Sequence, residues 1–88
     1  MRVTFEYTGL RGFSLLNMTR KKSRVFEIPN DMEIGRFIEE VGASGLRRKV
    51  DGASHELRLG GFVPDATYEV LGGNPSEIEG NLRRYFAR

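Results

Sequence analysis

The chain has 88 residues, room for one domain, since two would leave each half without a workable core. Its 14 Lys and Arg stand against 12 Asp and Glu, a net +2 that is too small by itself to argue for a polyanionic partner. There is no cysteine, which excludes disulfides, thiolate metal sites and cysteine nucleophiles and fits a reducing, cytoplasmic compartment. No apolar run approaches the roughly 18 residues of a membrane span, and the first residues lack the apolar stretch of a secretory signal.

Residues 2–8, Arg-Val-Thr-Phe-Glu-Tyr-Thr, alternate in polarity and predict a half-buried strand with Val3, Phe5 and Tyr7 on one face. A second short strand is expected over Phe13 to Met18. Arg20-Lys21-Lys22-Ser23 reads as a polar turn, and Arg24 to Ile28 as the strand that follows it, stopped by Pro29. Asn30 with Glu33 has the form of a capping box, and Ile34, Phe37, Ile38 and Val41 make one helical stripe. The spacing predicts a helix of about three turns ended by Gly42.

Strand signals then return in tighter form. Leu46 to Val50, His55 to Leu59 and Thr67 to Leu71 are expected strands. Asp51-Gly52 is the expected turn between the first two, and Pro64-Asp65 marks the connection to the third. Asn74 as cap, Pro75 at the first helical position and Glu77 in the first turn open a terminal helix. Gly80 weakens that helix by roughly 1 kcal/mol relative to alanine.

Hairpin, amphipathic helix and a closing set of strands together give an α+β fold, a mixed sheet of four to five strands packed on one helix. The expected core takes Val3, Phe5, Phe26, Ile28, the helical stripe, Leu57, Leu59, Val70 and Tyr68. This order resembles the β-grasp layout of the ubiquitin-like family. The likeness rests on the immediate first strand, the helix at 31–42 and Thr67-Tyr68-Glu69-Val70-Leu71-Gly72-Gly73. It divides the chain into a β-grasp domain at 1–73 and a helical extension at 74–88. The sequence departs from the family in its long first connection, in Leu71 where ubiquitin has arginine, and in continuing past Gly73.

Gly72-Gly73 reads first as a strand-to-helix turn. The resemblance implies a second use, a processing or conjugation point at which 74–88 are released and a narrow enzyme channel admits only glycine. Arg20, Lys21, Lys22 and Arg24 form one basic cluster and Arg47, Arg48 and Lys49 another. Joined on neighbouring edges, with Tyr7 or Phe13 for stacking, they would bind RNA or DNA in a salt-sensitive way. Taken separately they are solvated charges that protect strand edges. His55 has no companion for metal chemistry, no serine stands in a Gly-x-Ser-x-Gly elbow, and no phosphate loop is present.

The reading is therefore a non-enzymatic, ubiquitin-like protein-interaction domain with a protein partner and no cofactor. The alternatives are a small nucleic-acid-binding protein and a phage or viral assembly domain docking through Ile78, Leu82 and Phe86.

Overall fold

The computed structural model describes residues 1–10 and 19–86. The expected strand at Phe13 to Met18, the apolar trio Leu15, Leu16 and Met18, and the stacking role of Phe13 lie outside the described residues. Seven elements run in order: β1 Arg2–Leu10, β2 Thr19–Glu27, α1 Ile34–Val41, β3 Gly45–Val50, β4 Ala53–Leu57, β5 Thr67–Leu71 and α2 Pro75–Tyr85. They build one five-stranded sheet in the order β2-β1-β5-β3-β4. β1 is antiparallel to β2 and parallel to β5, which gives the mixed, β-grasp-like arrangement.

Arg20-Lys21-Lys22-Ser23, expected as a turn, lies inside β2. Its register runs from Arg2↔Glu27 to Leu10↔Thr19, so these basic residues are the middle of an edge strand. An edge strand paired on one side only tolerates such charges, and they discourage further pairing.

Helix α1 coincides with its apolar stripe, Ile34–Val41, a little over two turns where about three are expected, and Asn30 does not cap it. The Asn30 side chain accepts a hydrogen bond from the terminal amine of Met1 at 2.8 Å instead. Glu33 is the capping position, extended at φ −99°, ψ 145° with no side-chain cap bond. Its backbone bridges Gly61, and the Ile34 amide donates to Gly60 O at 2.8 Å. A neighbouring loop thus satisfies the first helical amide, a task sequence alone assigns to Asn30. At the other end Gly42 adopts φ 78°, and its amide donates to Ile38 O, the expected glycine cap.

The turn at Asp51 and Gly52, φ 51° and 82°, sets the Val50↔Ala53 register. That places β4 two residues earlier than expected. Leu59 consequently leaves the sheet beside the start of α1 and is 82% exposed, so it does not belong to the core.

The core lies between one sheet face and both helices. Phe5 and Phe37 stack with ring centroids 4.5 Å apart, and Phe86 packs on Phe37 at 5.3 Å. Phe62 sets its edge against both Phe37 and Tyr68. Offset and edge-on ring pairs of this kind each add about 0.5–1.5 kcal/mol beyond the area they bury.

Candidate functional site

Gly72-Gly73 is a closed turn. Leu71 O accepts from both the amide and the hydroxyl of Ser44, at 2.9 and 3.0 Å, pinning the end of β5 to the segment after α1. Both glycines then take left-handed φ, 69° and 74°. A methyl group on Gly72 would collide with the Ser44 side chain, and one on Gly73 with the carbonyl oxygen of Gly42. Only glycine meets both demands. The chain enters α2 at once, with the Asn74 side chain accepting from the Ser76 and Glu77 amides at 3.0 and 3.2 Å and Pro75 in the first turn.

Ile78, Leu82 and Phe86 are buried in the core of their own chain, so α2 is a second covering helix and these residues are not presented to a partner. Burying side chains of this size stabilises the fold by about 1.5–3 kcal/mol each. Polar ties hold the helix down as well. Lys22 Nζ lies 2.6 Å from Glu79 Oε1, both side chains largely buried, and Arg83 approaches the same oxygen at 3.4 Å. Asn81 donates to Val41 O at the end of α1. Beneath them burial pushes the Tyr7 hydroxyl above its usual range, with Glu79 acting in the same direction and Arg24 and Arg83 against it.

Among the described residues no helix covers the opposite sheet face. Strand alternation and register lay one row across it through all five strands: Ser23, Glu6, Glu69, Arg47 and Glu56. Glu69 is its hub. Lys21 Nζ reaches it at 2.6 Å and Arg47 at 3.0 Å, and the Lys21 hydrogen bond holds its carboxyl below the ordinary 4.5. One residue of each basic cluster, Lys21 and Arg47, therefore reaches this shared point, and they meet over an acid. Lys22 is spent beneath α2, and Arg20 and Arg24 alternate to the helix side of β2, where both are exposed. Arg48 lies half-buried, its guanidinium 5.9 Å from the centre of the Tyr68 ring.

Next to this row a cleft of about 810 Å³ opens where β3 and β5 part, with Glu6 and Glu69 on one side and residues 47–49 on the other. Glu6, Glu69, Ser54 and Thr67 were not singled out from the sequence. Alternation through Thr67–Leu71 puts Glu69 on the polar face of β5, whereas its place opposite Arg47 follows from strand order and register. Among the described residues no group of three His, Asp or Glu is placed to hold a metal ion, and no helix is long and apolar enough to cross a membrane.

No family model, curated protein or solved structure matches the chain.

Proposed function

We propose that this is a small, non-enzymatic protein-interaction domain of ubiquitin-like type, which meets its partner through the helix-free sheet face. The observation that carries the reading is the Lys21–Glu69–Arg47 network at the centre of the charged row. A surface of interleaved charges selects a partner with the complementary pattern and rejects others by like-charge contact. Release of 74–88 at Gly73 is left out of the proposal. The segment supplies Ile78, Leu82 and Phe86 to the core, and an enzyme channel would first have to unfold it.

Lys21, Arg47 and Lys49, the basic residues that the two clusters bring to the open face, support nucleic-acid binding as the second reading. A phosphate backbone, however, favours an unbroken basic stripe, and Glu6, Glu69 and Glu56 interrupt this one. Proteins captured on immobilised chain should be retained by Arg84→Glu, an exposed change on α2, and lost with Val25→Arg plus Lys49→Glu on the open face. Equal capture by the face variant would overturn the reading. Salt-dependent binding of oligonucleotides at micromolar protein would replace it with the second.

A further inference from the structure

The two outer strands of the sheet differ. β2 carries Arg20, Lys21, Lys22 and Arg24, whereas β4, Ala53–Leu57, holds no lysine, arginine, proline or glycine. Residues of the first kind are the usual guards of a free edge. Residues 53–56 are all exposed, so no described element covers either face of this stretch.

The turn decides which peptide groups of β4 are free. Asp51 and Gly52 both have positive φ, the two-residue turn that makes Val50↔Ala53 a hydrogen-bonded pair. Pairs alternate from there, so Ala53, His55 and Leu57 direct their N–H and C=O groups to β3, while Ser54 and Glu56 direct theirs outward. Among the described residues these outward groups have no hydrogen-bond partner.

We propose that β4 pairs antiparallel with β4 of a second copy about a two-fold axis at His55, joining two sheets into one of ten strands. A two-fold contact must be self-complementary, and only registers that oppose outward groups to outward groups can form the ladder. Centring on His55 pairs all of Ala53–Leu57 and sets Ser54 opposite Glu56. Centring on Ser54 or Glu56 pairs fewer residues, and the latter opposes two carboxylates.

The side chains match in the His55 register as well. On the helix side one row runs through Val50 and Ala53 to Leu57 and Leu46 of the second copy, with strands about 4.8 Å apart. Val50, 40% exposed in the single chain, gains apolar neighbours across the small Ala53. On the open side the row is Lys49 and Ser54, then Glu56 and Arg47 of the second copy, which sets a carboxylate between cations. Symmetry repeats both rows. The pairing leaves the open face uncovered, so it stands apart from the partner proposed above.

The absence of cysteine makes a register-specific test possible. Facing residues of a non-hydrogen-bonded pair have Cα atoms about 4.5 Å apart. That lies within the roughly 4.4–6.8 Å a disulfide spans. The full chain bearing His55→Cys, equilibrated with glutathione disulfide as oxidant, should therefore form a covalent dimer. Ser54→Cys, facing Glu56 of the second copy, and Arg84→Cys on α2 should form it at least tenfold more slowly. The unmodified chain, in sedimentation velocity at pH 8, where imidazole as a class is uncharged, should be monomeric near 10 μM and dimerise toward about 1 mM, as a small interface implies. Ser54→Pro removes an outward N–H without touching the β3 ladder, and Glu56→Lys places a lysine on the edge. Each should weaken the dimer about tenfold or more, with Glu56→Lys carrying the test if circular dichroism shows Ser54→Pro unfolded. A chain still monomeric at 1 mM, equal cross-linking at positions 54, 55 and 84, or a dimer indifferent to the folded edge variants would each overturn the proposal.

Discussion

Leu59-Gly60-Gly61 and Leu71-Gly72-Gly73 are the same tripeptide, each placed after a strand, and the fold uses them in opposite ways. Around Gly60 and Gly61 a side chain would meet nothing within 4 Å, and Leu59 stands in solvent. Around Gly72 and Gly73 the corresponding space is occupied by Ser44 and by the backbone of Gly42. The first segment contributes backbone, a carbonyl for Ile34 and a bridge to Glu33. The second contributes the absence of a side chain. A glycine pair is thus read by its neighbours, which the tripeptide itself does not reveal.

Deleting residues 74–88, the chain beyond the second segment, should have the largest effect. A chain ending at Gly73 loses three core side chains and the Lys22–Glu79 tie, and we expect no cooperative thermal transition by circular dichroism. A folded truncation would show that α2 is dispensable. Gly73→Ala comes next, since it combines left-handed strain with a clash against backbone that has little room to give. A loss of about 3 kcal/mol is expected, a fall in Tm of roughly ten degrees or more. Gly60→Ala meets strain alone at φ 99° and should cost about 1 kcal/mol in the same assay. Gly61→Ala should be neutral within about 0.5 kcal/mol. Equal effects at 61 and 73 would erase the contrast between the segments.

Acid titration sharpens the contrast further, with a smaller effect. Glu69, on the strand that leads into the second segment, has its carboxyl held below the ordinary 4.5 by Lys21. A carboxyl held low contributes stability that is present above that ordinary value and is lost as pH falls through its folded value. The Tm difference between the chain and Glu69→Gln should therefore shrink progressively below pH 4.5. A difference that stays constant there would remove the Lys21–Glu69 bond from the account.

Much of this fold is written locally. Alternation gave Val3, Phe5 and Tyr7 their face, Asp51-Gly52 its hairpin, Gly42 its cap, and Asn74-Pro75 the start of α2. The features that escaped depend on contacts distant in sequence. Asn30 has every property of a cap, but the terminal amine and the Gly60 carbonyl reach the relevant groups first. Leu59 continues the apolar alternation of β4, but the strand ends at Leu57 and leaves it beyond the sheet. Ile78, Leu82 and Phe86 repeat the stripe logic of α1, and periodicity cannot say whether such a face meets its own sheet or another molecule. At the candidate site the basic clusters were visible, whereas their acidic hub required strand order. Two cations far apart in sequence share one carboxylate only because β5 lies between β1 and β3.

That insertion of β5 has a consequence for how the chain comes into being. β1 is made first, yet its second edge waits for residues far along the chain, Thr4 pairing with Thr67. During synthesis the first hairpin can form early and α1 can bring Phe37 onto Phe5, but the second edge of β1 stays open until β5 emerges and the core stays incomplete until α2 does. Long-range closure of this kind is slow compared with helix or hairpin formation. The charges on the outer strand β2 meanwhile discourage that edge of the young hairpin from pairing with its neighbours.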